Sequence, residues 1–104
     1  MKRIETIKSK EEFNNIIRTG KYNKNQYYIL YYINNNDNKF GIAISNKVGH
    51  AFIRNRLKRQ TRSIIDENRN LFKKGFNYII MIRKSCVGTN YEILNKALIE
   101  LINK

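Results

Sequence analysis

The sequence predicts an α+β protein, a two-layer sandwich of about four strands and three helices in the order α-β-β-(β)-α-β-α. Three observations predict it. Apolar residues recur at helical spacing near both ends of the chain. Two runs rich in aromatic and β-branched residues fill the first half. A strand pattern, a long helical pattern and another strand pattern then follow one another. At 104 residues, 41% apolar and 28% charged, the chain reads as a single domain over residues 1–104.

Ser9 with Glu12 three residues on forms a capping-box pattern, and Phe13, Ile16 and Ile17 follow at helical spacing. The spacing predicts a helix from about Lys10 to Thr19, closed by Gly20 as a left-handed C-cap. A short strand is possible near Lys21 and Tyr22. The run from Tyr27 to Ile33 reads as a strand, and Phe40, Ile42 and Ile44 alternate with Gly41, Ala43 and Ser45 as another. The two are expected to pair as an antiparallel hairpin across the polar cluster Asn34, Asn35, Asn36, Asp37 and Asn38. A segment without helix breakers predicts a second helix from about His50 to Asn68, and Asn77 to Arg83 reads as a buried strand after a turn at Gly75. Thr89 with Glu92 repeats the capping-box pattern. Ile93, Leu94, Ala97, Leu98, Leu101 and Ile102 then mark the apolar stripe of a last helix.

The charge balance narrows the function. Lys and Arg number 21 against 8 Asp and Glu, a formal +13, which points to a polyanionic partner rather than to a merely soluble basic protein. No apolar run approaches the ~20 residues needed to cross a bilayer, so no membrane partner is expected. The opening MKRIETIKSK lacks the apolar stretch of a secretory signal, and a cytoplasmic location is the expectation. One cysteine, Cys86, and one histidine, His50, build neither an internal disulfide nor a tetrahedral zinc site.

The charge is also arranged. In the stretch from Lys47 to Arg62, at about 100° per residue, Ile53, Leu57, Thr61 and Ile64 share one face. Arg54, Lys58, Arg62, Asn55 and Arg59 sweep across the other, with Arg56 flanking and Arg69 rejoining the stripe. A solvated helix face ordinarily carries opposite charges at i,i+4, yet no Asp or Glu lies between Lys39 and Ser63. Like charges aligned along one ridge are sensible where phosphates neutralise them. Arginine suits that task through its planar fork, and Asn55 adds a neutral donor and acceptor able to read a 2′-hydroxyl or a base edge. Tyr27, Tyr28, Tyr31 and Tyr32, with Phe13, supply rings. One face of that strand must be core, and the other can either present rings for base stacking or be ordinary surface.

The residues Asn46, Lys47, Gly49, Ala51, Arg54, Asn55, Arg56, Lys58, Arg59 and Arg62 resemble the signature of the bacterial ribonuclease P protein family. In that family the run is Lys-Lys-x-Gly-x-Ala-x-x-Arg-Asn-Arg-x-Lys-Arg-x-x-Arg. The opening helix, with Phe13, Arg18 and Gly20, extends the resemblance over the whole chain. It implies a left-handed strand-helix-strand crossover, against the usual handedness. It also implies a protein cofactor with no catalytic residue and no metal ligand of its own. The RNA subunit, with Mg²⁺ held mainly by RNA and no organic cofactor, hydrolyses the bond joining the 5′ leader to tRNA. By resemblance, Arg54, Asn55, Arg56, Lys58, Arg59 and Arg62 dock on the catalytic RNA. A cleft of Phe13, Ile17, Tyr31, Lys47, Arg54, Asn55 and Arg62 holds the single-stranded leader of precursor tRNA, with one protein per catalytic RNA.

Three departures from the family pattern stand out. Ile17 occupies a position often Phe, Asn46 replaces the first Lys, and Ser63 replaces Glu or Gln. The loss of an aromatic and a cation implies weaker leader contacts. His50, usually a small polar residue, reads as a helix cap or surface group. Asp37, Asp66, Glu11, Glu12, Glu67, Glu92 and Glu100 are scattered rather than clustered, so a stand-alone two-metal nuclease is not expected. A structural ribosomal RNA-binding protein is the alternative reading. A major-groove DNA binder is a weaker one, for lack of a helix-turn-helix pair.

Overall fold

The computed structural model describes Ile7, residues 10–35 and residues 38–103. The elements are α1 (Lys10–Thr19), β1 (Lys21–Lys24), β2 (Tyr28–Asn34), β3 (Phe40–Ile44), α2 (Ala51–Glu67), β4 (Phe76–Ile82) and α3 (Tyr91–Ile102). The four strands form one mixed sheet in the order β1-β2-β4-β3. β2 runs antiparallel to both β1 and β4, and β3 runs parallel to β4, so α2 is a crossover between adjacent parallel strands. α2 and α3 cover one face of the sheet, giving the expected sandwich, and α1 lies on the opposite face.

The expected β2–β3 hairpin is not formed, because β4 inserts between the two strands. The reason lies in β4 itself. Tyr78, Ile79, Ile80 and Ile82 are buried, so the strand is covered on both faces and belongs where it also pairs on both sides. Asn35 and Asn38, the described residues on either side of positions 36–37, therefore both meet the entry to β4. Asn35 N–H donates to the Gly75 carbonyl at 2.8 Å, and Gly75 N–H donates to Asn38 Oδ1 at 2.6 Å. Gly75 has φ +88°, where a side chain would be strained. Asn36 and Asp37 of the expected loop lie outside the described residues.

Local details correct three further expectations. Gly20 does not have a positive φ; it is needed for space, because a Cβ there would stand 2.5 Å from the Ile16 carbonyl oxygen and 2.8 Å from that of Tyr32. Asn90, not Thr89, caps α3, its side chain accepting from Ile93 N–H at 3.0 Å, while Thr89 donates to the Ser85 carbonyl at 2.8 Å. α2 stops at Glu67, so Arg69 sits in a separate 3-10 turn, Arg69–Leu71, rather than on the stripe. Ser9, half of the first capping box, lies outside the described residues. Glu12 accepts from Asn77 Nδ2 at 2.8 Å, and Asn77 Oδ1 accepts from Lys39 N–H at 2.8 Å, so this buried Asn ties α1 to the start of β3.

Register sorts the sheet into two faces. Toward α2 and α3 stand the rows Tyr28–Ile82–Ile44, Leu30–Ile80–Ile42 and Tyr32–Tyr78–Phe40. Leu57, Ile64 and Ile65 of α2 and Leu94, Leu98 and Leu101 of α3 close over them, each 5% exposed or less. Thr61 is also buried, and its hydroxyl meets the Tyr28 phenol at 3.2 Å, which satisfies both polar groups. Cys86 Sγ donates to the Tyr27 carbonyl at 3.1 Å.

Candidate nucleic-acid interface

The face opposite α2 and α3 is built from alternate positions of the same strands. Its rows are Lys24–Ile29–Met81–Ala43 and Tyr22–Tyr31–Ile79–Gly41. α1 seals only part of it. Ile16 and Ile79 are buried beneath the helix, whereas Phe13, Ile17, Tyr31, Ile33 and Ala43 pack around them half-buried. The Phe13 ring reaches the sheet because β3 carries Gly41, where a Cβ would come within 2.9 Å of that ring. Ile29 and Met81, in the row farther along β2 and β4, are half-buried and stand outside the cluster under α1. Tyr22, 55% exposed on the edge strand, tilts against Tyr31 with ring centroids 5.7 Å apart. The result is an apolar, ring-bearing floor left partly open to solvent.

Cations stand at the end of that floor. β3 ends beside Ala43 and runs into a 3-10 turn, Asn46–Val48, where Ser45 Oγ accepts from Lys47 N–H at 3.2 Å and the Lys47 side chain is exposed. His50, in extended conformation, opens α2 without a side-chain cap bond. Arg54, half-buried on the first turns of α2, donates through Nη1 to the Gly49 carbonyl at 2.8 Å and is thereby held against the turn that leaves β3. Asn55, Arg56, Arg59 and Arg62 are exposed and Lys58 half-buried on the outer side of α2. Among the described residues none of Arg54, Arg56, Lys58, Arg59 and Arg62 has an ion-pair partner.

Phe13, Ile17 and Tyr31 thus come together in one cluster, and Lys47 and Arg54 sit at its β3 end. Arg62 does not join them as closely, since it lies about 12 Å further along α2 than Arg54. It belongs with Asn55, Arg56 and Arg59 on the outer helix surface. Sequence reasoning missed Tyr22, Ile29 and Met81. Tyr22 lies on the short edge strand β1, and for Ile29 and Met81 the signal was present in the alternation of β2 and β4, but alternation does not say which face a helix will cover.

Among the described residues no group of three His, Cys, Asp or Glu side chains is placed to hold a metal ion. Burial pushes the Cys86 thiol up to about 11, which leaves it protonated and inert at neutral pH. Burial likewise raises the Tyr28 phenol well above its ordinary value. No helix among the described residues is long and apolar enough to cross a membrane.

Comparison with known proteins agrees with this geometry. The family model for ribonuclease P matches residues 1–104. The ribonuclease P protein component of Bacillus cereus is 33% identical over 107 residues, covering 100% of this chain and 93% of the relative, and that of Bacillus anthracis is 33% identical, covering 90% of the relative. Among solved structures, the RNase P protein from Thermotoga maritima superposes with a TM-score of 0.85 at 27% identity, over 94% of both chains. The RNase P protein of Staphylococcus aureus shares the fold at a TM-score of 0.84 and 23% identity, over 94% of this chain and 92% of that one. A whole-chain family match, relatives of like length and a sheet flanked by a basic helix agree: the chain belongs to the ribonuclease P protein family, a subunit of the endoribonuclease that processes the 5′ ends of tRNA.

Proposed function

We propose that this chain is the protein cofactor of a catalytic RNA and that it has two RNA contacts. The outer side of α2, with Arg56, Lys58, Arg59 and Arg62, docks on the ribonuclease P RNA. The half-covered sheet face, with Phe13, Ile17 and Tyr31 on its floor and Lys47 and Arg54 at its edge, holds the single-stranded 5′ leader of precursor tRNA. One observation carries the reading: rings left half-buried on a sheet face that a single short helix covers only in part, beside cations that have no carboxylate partner among the described residues. Rings give sequence-tolerant stacking and cations give phosphate attraction, which together are what a single strand requires.

In this reading Mg²⁺ would be held mainly by the RNA and would supply the activated water for phosphodiester cleavage. The chain's own residues bind and orient. Phe13 and Tyr31 stack on leader bases, and Lys47 and Arg54 fix the strand where it leaves the sheet. The helix keeps one protein seated per catalytic RNA, in the cytoplasm. The ribosomal alternative is not favoured.

Reconstitution tests this. The chain is combined with a bacterial ribonuclease P RNA at low Mg²⁺ and moderate salt, and cleavage of a precursor tRNA with a defined leader is followed. Cleavage that depends on both components, with precursor bound more tightly than mature tRNA, is the expected result. RNA alone performing equally at every Mg²⁺ and salt concentration, with the chain folded, overturns it.

A further inference from the structure

Phe52, on the first turn of α2, is 72% exposed, the most open of the large apolar side chains among the described residues. It lies about 180° around the helix from buried Thr61, so it points directly away from the core. Its ring runs parallel to that of His50, with planes 7° apart and centroids 6.3 Å apart. Asn55 and Arg56 stand one turn along, Arg59 two turns along, and all three are exposed. No core contact explains an aromatic ring in this position. We propose that Phe52 is a stacking platform for an unpaired nucleobase of the catalytic RNA, with Arg56 and Arg59 taking the flanking phosphates. This rests on the docking role of α2 given above.

The charges choose among possible occupants. A second copy of the chain would bring +13 against +13. A lipid surface needs a contiguous apolar face, and the neighbours of Phe52 along the outer side of α2 are Asn55, Arg56 and Arg59. A nucleobase offers a flat π-face on a chain of phosphates, and so matches both the ring and the guanidinium groups beside it. The platform also separates two kinds of contact on one helix. The arginines respond to salt, whereas a stacked ring does not release counterions.

The experiment measures affinity for the ribonuclease P RNA of Phe52→Ala, Phe52→Leu and Phe52→Tyr. Ala and Leu are expected to weaken binding by about five- to 150-fold, with Tyr near the parent and the salt dependence unchanged in all three. Phe52→Trp adds a direct readout, since the chain contains no other Trp. Its fluorescence should be quenched by the RNA and left unchanged by heparin, a polyanion without bases. Leu binding as well as Phe, equal quenching by heparin, or loss of self-association in sedimentation with RNA affinity intact would each overturn the proposal. Arg56→Ala and Arg59→Ala serve as the control. If they weaken binding and Phe52→Ala does not, stacking fails while docking stands; if they too bind normally, the docking role itself fails.

Discussion

The two faces of one sheet are used in opposite ways. Toward α2 and α3 the middle of every row is closed, with Leu57, Ile64, Ile65, Leu94, Leu98 and Leu101 filling the space above Leu30, Ile80 and Ile82, while Tyr32, Ile42 and Ile44 at the row ends are half-buried. Toward α1 the cover is incomplete, and Phe13, Ile17, Tyr31, Ile29 and Met81 stay half-exposed. Both faces are apolar, so composition does not distinguish them. What differs is the length of helix laid on each: 17 and 12 residues against 10. The closed face supplies folding free energy, whereas the open one forgoes some of it and keeps rings available to a ligand.

The sharpest test of that contrast is truncation on the closed face. Ile64→Ala removes a fully buried side chain and should cost about 2–5 kcal/mol of stability, read from urea unfolding. Precursor affinity of the fraction that remains folded should be unchanged. An effect on affinity larger than on stability would break the division between faces.

On the open face the effects should exchange places. Phe13→Ala or Tyr31→Ala should weaken precursor tRNA binding by about 1–3 kcal/mol if a base stacks there. Stability should fall less than for Ile64→Ala, and mature tRNA binding should not change. Equal loss for precursor and mature tRNA would mean that the rings only support the fold.

The outer surface of α2 gives a smaller, differently shaped response. Arg56→Ala and Arg59→Ala should each flatten the dependence of log affinity on log salt for the catalytic RNA by about one unit per lost phosphate contact. Both side chains are exposed, so unfolding curves should be unaffected. An unchanged slope removes the phosphate contact.

Much of this architecture is legible in the sequence, and the exceptions share a cause. α1 from Lys10 to Thr19, the core stripe Leu57, Thr61 and Ile64 and the cationic side of α2 follow from periodicity, a property of each segment alone. Which strand lies beside which is not local. Nothing within Tyr28–Asn34 or Phe40–Ile44 shows that β4 comes between them; only the doubly covered β4 carries that information, and it lies more than thirty residues after β3 begins. The open floor was half legible for the same reason. Phe13 and Tyr31 stood out as rings and, with Lys47, were assigned to a cleft by resemblance, whereas Tyr22, Ile29 and Met81 needed to be seen against the limited reach of α1. Phe52 was available from the helical wheel, where a lone ring opposite the apolar stripe is conspicuous once the cations around it are placed.

The smallest expected effect returns to the closed face. Burial raises the Cys86 thiol from 9.0 to about 11, so the folded protein keeps a proton that the unfolded chain releases near its ordinary value. The associated stability is complete well below pH 9 and is lost as pH climbs toward 11. At pH 9 the loss is only about 0.4 kcal/mol, because the unfolded thiol is then half ionised. Urea midpoints between pH 8 and pH 9.5 should therefore drift down slightly in the parent, and the part of that drift owed to the thiol should vanish in Cys86→Ala. RNA binding at the same pH should not separate the two proteins, since Cys86 lies at the Tyr27 carbonyl beneath the closed face, away from Phe13 and Tyr31. A drift identical in both proteins would place the titrating group elsewhere, and a thiol that reacts readily with an alkylating agent in the folded chain at pH 8 would show that the closed face is open after all.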